Sequence, residues 1–257
     1  MMFLRILTAL FIVWAYLLPV SGQAKEIITL YTYHDTPPFI TGDKTGLTYD
    51  LADYLSRHSS NVSIEVMSIP RKRLNQLIDS TAENILVPWV SPYWFKKQNL
   101  SRFIWSEELM FDASVYIWSS KASTDFNKPQ DLIGYRLGGV RGYRYVGVDP
   151  LVSDNLIIRS NANNEKQLLR MLLQNRVDVG IIPYSSAQYL LWDNQWSTRF
   201  TLTNHHQFTR YLMVRSGNNS LNTQLLETVE KMKSDPIWRQ VLTNYGLATD
   251  PKALLIE

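Results

Sequence analysis

The chain has 257 residues, a formal net charge of +3 and no cysteine. Disulfide frameworks and thiol catalysis are therefore excluded, and the near balance of charge gives no case for nucleic-acid binding. The length suits one large or two small domains with cores of their own.

One positive charge in Met1–Arg5, an apolar run from Ile6 to Val20 and small residues up to Ala24 form the pattern of a secretory signal peptide. Residues 1–24 are read as that peptide, with Gly22 at −3 and cleavage after Ala24. The apolar run is shorter than the roughly 20 residues of a spanning helix. The rest, 25–257, is expected as a soluble periplasmic protein. With no Cys at the cleavage site, a lipid anchor is excluded.

From residue 25 the pattern alternates. Ile27 to Tyr33 is predicted as a strand, Leu47 to His58 as a helix and Val62 to Met67 as a half-buried strand. Pro70 opens a helix with Leu74, Leu77 and Ile78 on one face. Ile85 to Val87 is a short strand ending in Pro88-Trp89. This β-α-β-α-β order predicts a mostly parallel sheet. Phe103 to Ser119, aromatic and β-branched, is predicted as extended. The rhythm then restarts. A segment from Asp131 becomes a strand ending at Gly138-Gly139, Leu156 to Ile158 is a strand, and Glu165 to Gln174 is a helix. Val177 to Ile182 is a strand, and Pro183 opens another helix. Phe208 to Val214 is a strand. Helices over about 222–233 and from Pro236 to the stop at Gly246 close the pattern.

The first loop and helix are the most informative stretch: Tyr31-Thr-Tyr-His-Asp-Thr-Pro-Pro-Phe-Ile40, then Gly46-Leu-Thr-Tyr-Asp-Leu-Ala-Asp-Tyr-Leu55. A strand that ends in an aromatic loop and then a helix is where open α/β sheets bind small ligands. Gly46, Leu47, Asp50, Leu51 and Leu55 resemble the start of the family 3 extracellular solute-binding proteins, the periplasmic receptors of amino-acid importers. Thr48 and Tyr49 depart from that pattern. The resemblance spans nearly all of residues 25–246. It implies an α/β, two-lobed, type II periplasmic-binding fold, with each lobe a mostly parallel sheet flanked by helices. Two hinge crossings are expected near 108–119 and 205–213. Lobe 1 would comprise 25–113 and 209–257, and lobe 2 would comprise 114–208.

In amino-acid-binding members of that family an Arg clamps the ligand carboxylate and an acid pairs with its ammonium. Here the clamp position falls on Trp94 and the acid position on Pro183. Aromatic and basic residues stand in their place. Tyr33, Phe39, Trp89, Ser91 and Trp94 fall in or beside strand-end loops, and Arg71 opens a helix. Arg141, Gly142 and Tyr143 follow the Gly138-Gly139 turn. In relatives that turn donates backbone N–H groups to an anionic ligand group. These nine residues are the expected ligand-binding set, suited to a ligand with an anionic group and a flat or apolar body. Alternatively Arg71 and Arg73 form a solvated helix start paired with Asp50 or Asp53.

His34, His58 and the adjacent His205-His206 make no metal-ligand pattern, and no catalytic motif, cofactor loop or metal site is expected. The implied function is a monomeric solute-binding receptor. It captures a small, anionic or aromatic, amino-acid-like ligand between lobes and passes it to an inner-membrane ABC permease or sensor. The alternative is an enzyme on the same fold, such as a prephenate-type dehydratase with Asp35 as proton donor.

Overall fold

The computed structural model describes residues 25–59, 61–80, 84–95, 100–122 and 124–247. The expected signal peptide, 1–24, lies outside the described residues. None of the described helices is long and apolar enough to cross a membrane.

Eight strands form one sheet: β1 (Glu26–Thr32), β2 (Val62–Ser68), β3 (Ile85–Val90), β4 (Ile104–Ser119), β5 (Arg136–Val140), β6 (Ile158–Ala162), β7 (Val179–Pro183) and β8 (Phe200–Arg215). Their spatial order is β2-β1-β3-β8-β4-β7-β5-β6. At one end β2, β1 and β3 run parallel; at the other β7, β5 and β6 do. Between them the two long strands β4 and β8 pair antiparallel over almost their whole length. The sheet is thus two parallel α/β halves joined by one antiparallel ribbon, where the two extended crossings were expected.

Helices cover both halves: α1 (Leu47–Arg57), α2 (Arg71–Asp79), α3 (Asp149–Ser153), α4 (Glu165–Leu173), α5 (Tyr184–Asp193), α6 (Asn219–Met232) and α7 (Pro236–Asn244). Each longer helix places an apolar stripe on the sheet. Leu51 and Leu55 of α1 pack with Leu30, Leu86 and Leu212, together with Leu225 of α6 and Trp238 of α7. The C-terminal helices therefore complete the core around β1–β3. Leu168, Leu169 and Leu172 of α4 pack with Ile117 and Ile182, and Tyr116, Trp118 and Phe126 fill the opposite face of that half.

Three boundaries differ from the sequence expectation. The strand expected from Asp131 starts at Arg136, because Pro129–Leu132 forms a 3-10 turn. The strand predicted at 156–158 begins only at Ile158. Asn155 adopts a positive φ, and the Leu156 and Ile157 amides donate to the Leu151 carbonyl, so the chain is still turning there. The strand then continues through Arg159, Ser160 and Asn161 at the sheet edge, where polarity hid it. β8 starts at Phe200 instead of 208, because Thr201 to His206 pair with β4 despite their polar character. The aromatics sort as follows. Trp118 and Trp238 are buried. Trp105 packs beside Phe95, and Trp192 is 64% exposed with its edge against Tyr189.

Candidate functional site

The site lies where the loops at the strand ends of both halves meet the β4–β8 ribbon. It begins with the loop after β1. The Thr32 hydroxyl accepts from the His34 amide at 3.1 Å and turns the chain out of the strand. The Pro37-Pro38 bond is cis. The Pro38 and Phe39 carbonyls then accept from the Leu47 and Thr48 amides, which ties the loop to the start of α1. Gly46 makes that possible: its φ is 122°, and a Cβ there would sit 2.6 Å from the Phe39 carbonyl oxygen. Phe39 is thereby pressed into the core at 1% exposure.

β3 ends in the second piece. Trp89 is fully buried and donates from Nε1 to Thr48 Oγ1 at 3.0 Å. Its φ of 63° is rare for a bulky residue and turns its carbonyl out of the ladder. That carbonyl accepts from Arg210 Nη1 at 2.8 Å. A short 3-10 turn over Pro92–Trp94 follows. It sets Trp94 edge-on to Phe208, with ring centroids 5.1 Å apart.

Arg210 is the centre of the arrangement. It sits on β8 at 1% exposure, and its Nε donates to Asp112 Oδ2 on β4 at 2.7 Å. Its guanidinium also lies over Phe39, Phe208 and Trp94, at 4.9, 5.0 and 5.5 Å from the ring centroids. Asp112, also buried, accepts from the amides of Ala113 and Ser185 and from the Ser185 hydroxyl. The pair therefore ties β3, β4, β8 and the first turn of α5 together. A buried ion pair is tolerable when hydrogen bonds satisfy the remaining lone pairs, as they do here. The Arg210 charge and burial together hold the His34 imidazole well below its ordinary pKa, burial being the larger cause.

Arg71, the first residue of α2, is sandwiched between Tyr33 and Phe95, at 4.5 and 4.8 Å, and donates to the Trp94 carbonyl at 3.3 Å. It makes no ion pair with Asp50 or Asp53. Asp50 accepts from the Tyr245 hydroxyl, and Asp53 pairs with Arg57. Ser91 is buried, with no hydrogen-bond partner on its hydroxyl.

The other half contributes the turn after β5 and the start of α4. The Tyr143 amide donates to the Val140 carbonyl and closes the turn, with Gly142 at a φ of 84°. The Tyr143 ring reaches back to the junction, where its hydroxyl donates to Glu165 Oε1 at 3.0 Å. Arg141 and Gly142 are exposed on the turn, and Gly142 borders a shallow surface recess with Arg144, Arg159 and Asn161. Gly139 carries no side chain because Arg159 occupies the space, its Nε 2.6 Å from where a Cβ would be. From there Arg159 donates to the Val140 and Tyr143 carbonyls and braces the turn.

Of the nine expected residues, Tyr33, Phe39, Arg71, Trp89 and Trp94 surround Arg210 or its neighbours, and Tyr143 approaches from across the junction. Ser91 lies buried behind them. Arg141 and Gly142 stand apart on the exposed turn. Sequence reasoning missed Asp112, Arg210, Phe208 and Glu165. A signal existed for the first two: each is a charge flanked by apolar and aromatic neighbours inside an extended segment. Glu165 gave none, because an acid in the first turn of a helix is ordinary. Asp35, the acid invoked for a dehydratase, is exposed in its loop. No group of three metal-ligating side chains occurs among the described residues.

No family model and no curated protein matches the chain. Solved structures share its fold. One titled as an ancestral arginine-binding protein bound to arginine superposes with a TM-score of 0.67 at 16% identity, covering 86% of this chain and 98% of that one. A structure reported for glutathione import via GshT and the cystine importer TcyBC of Streptococcus mutans gives 0.68 at 14% identity, covering 89% and 99%. A substrate-binding protein of an ABC uptake transporter from Streptococcus pneumoniae, with bound histidine, gives 0.65 at 14% identity, covering 85% and 92%. The fold is therefore that of the two-lobed periplasmic binding proteins.

Proposed function

We propose that the protein is a periplasmic solute-binding receptor that captures a small, amino-acid-like organic ligand between its lobes for an inner-membrane ABC importer or sensor. The observation that carries this reading is the convergence of side chains from both halves on the β4–β8 ribbon: Tyr33, Phe39 and Trp94 from one, Tyr143 and Glu165 from the other, and Phe208 on the ribbon itself. A ribbon of two strands between two otherwise separate α/β units is the arrangement that hinge closure uses. On this reading lobe 1 is 25–113 with 209–257, lobe 2 is 114–208, the signal peptide 1–24 is removed, and the receptor acts as a monomer.

The rings supply an apolar, stacking surface for the body of the ligand. Arg71 supplies positive charge for an anionic group, and Arg141 adds a longer-range positive field from its exposed turn. The test is a thermal-shift screen of unfolded and refolded protein against amino acids, aromatic acids, oligopeptides and sugar acids, followed by solution scattering with each hit. One class of ligand should raise the melting temperature, return unchanged and make the scattering profile more compact. A protein that neither gains stability nor closes with any of them is not a receptor of this kind. A ligand that is consumed would return the case to an enzyme.

A further inference from the structure

The halves also meet away from the ribbon. Tyr189 lies in the second turn of α5, in lobe 2, and its ring centroid is 6.2 Å from that of Tyr245, just past α7 in lobe 1. Each ring is fixed within its own lobe. The Tyr245 hydroxyl donates to Asp50 Oδ2 in the first turn of α1 at 2.6 Å, and its amide donates to the Leu242 carbonyl. Burial, with the Asp50 contact adding to it, holds the Tyr245 phenol above its ordinary pKa, so it remains a donor. On the other side Trp192, three residues along α5, sets its edge against Tyr189 at 6.1 Å. Backing Tyr189 accounts for a tryptophan that is largely exposed.

Two rigid bodies joined at a hinge keep one soft variable, the angle between them. A contact away from the hinge constrains that angle. The two helices that carry this contact both lead back to the site. α1 opens with Leu47 and Thr48, whose amides donate to the Pro38 and Phe39 carbonyls of the first loop. α5 opens beside Ser185, whose amide and hydroxyl donate to Asp112, the partner of Arg210. Asp50 thus joins the first loop to Tyr245, and Tyr189 joins Tyr245 to the hinge. The first loop, α1, the two tyrosines, α5 and the hinge form a closed circuit of contacts.

Resting on the lobe division of the receptor reading above, we infer that Tyr189 and Tyr245 form a strut that holds the lobes at the approach seen here. Asp50 sets the position of Tyr245, and Trp192 that of Tyr189. They are positioning residues: they act on the lobe angle without touching the ligand. An aromatic pair contributes enough to shift a two-state balance between near and far lobes about two- to twelvefold.

The chain has no cysteine, so Arg170→Cys on α4 and Thr223→Cys on α6, both at exposed positions, place one spin label on each lobe. Dipolar distance measurements on the refolded, ligand-free protein then read the lobe angle. Tyr189→Ala and Tyr245→Ala should each raise the ratio of far to near separations about two- to twelvefold. The double variant should go no further than either alone, because each removes the same contact. Tyr189→Phe, which keeps the ring, should match the labelled parent. Tyr245→Phe, which frees the ring from Asp50, should fall between the parent and Tyr245→Ala. Circular dichroism and urea unfolding confirm that each variant folds. Unchanged distances in either alanine variant, or effects that add in the double variant, overturn the strut. The receptor reading is judged separately, by the thermal-shift screen of unlabelled protein with amino acids, aromatic acids, oligopeptides and sugar acids. If no probe stabilises the protein and the alanine variants still widen, the receptor reading falls and the strut stands. If a probe closes the parent and the alanine variants to the same distances from the same starting point, the strut falls and the receptor reading stands.

Discussion

Two buried carboxylates sit at the junction of the lobes, and they are treated in opposite ways. Asp112 accepts four hydrogen bonds, from two amides, a hydroxyl and the Arg210 guanidinium. Glu165 accepts one and leaves an oxygen without a partner. Equal burial with unequal satisfaction separates two roles. A fully bonded charge is fixed in one geometry and behaves as scaffold. A partly bonded one meets its burial cost by holding a proton or by receiving a partner. The Asp112–Arg210 pair therefore reads as the fastening of the hinge, and Glu165 as part of the contact surface.

The hardest test of that contrast is Asp112→Ala. It leaves the Arg210 charge buried and uncompensated, and should cost about 3–5 kcal/mol in urea unfolding. Glu165→Gln in the ligand-free protein should cost nothing or stabilise. A loss below about 1 kcal/mol for Asp112→Ala breaks the distinction.

The two tryptophans on the β3 side extend it. Trp89 is enclosed and hydrogen-bonded to Thr48, so Trp89→Ala should lose about 3–5 kcal/mol. Trp94 is half-buried at the junction. Trp94→Ala should lose nearer 1 kcal/mol while weakening ligand binding. Paired unfolding and calorimetry curves separate these outcomes. Equal stability losses would place both rings in the scaffold.

The pH dependence sharpens the contrast by direction. Glu165 has a raised pKa in the fold, so the folded state holds its proton more tightly than the unfolded chain. Its stability contribution is full below roughly pH 4.3 and is lost as pH rises through the folded value. His34 is depressed, so the unfolded chain binds protons more readily. Its contribution is full above roughly pH 6.5 and is lost as pH falls through the folded value. Unfolding of the ligand-free protein across this range should therefore change slope in opposite senses in Glu165→Gln and His34→Gln. Parallel curves for wild type and both variants would contradict the assignments.

The smallest effect belongs to Arg141→Ala. Exposed on its turn, Arg141 should leave the melting temperature unchanged while weakening acid-bearing ligands several-fold at low salt, since a surface charge acts mainly through a screened field. A drop in melting temperature would show that the turn depends on it.

The contrast also explains what was legible in the sequence. The fold could be read because apolar periodicity is local. Leu168, Leu169 and Leu172 announce α4, and Val62 and Ile64 announce β2, without any knowledge of the rest of the chain. The strand errors came where that link fails: Arg159 to Asn161 form an edge strand that need not be apolar. Of the site, the aromatics were legible because they cluster in the loops after β1 and β3. The charges were not, because their meaning lies in partners far along the chain. Asp112 and Arg210 are separated by 98 residues, and Arg210 is 121 residues from the Trp89 carbonyl that it caps. Glu165 could only be recognised by counting the bonds that it does not make.

The topology has a consequence for the order of assembly. β5, β6 and β7 follow one another in the chain and can pair as they emerge. β3 cannot: its inner neighbour is β8, and Leu86 must wait for Val214. A chain made from its N-terminus thus delivers β1–β3 first and their closing strand almost last. Contacts of such long sequence separation form slowly, because the intervening loop must be closed before they contribute. The half that is synthesised first is the half finished last, and until β8 arrives β3 presents an open edge of the kind that templates aggregation.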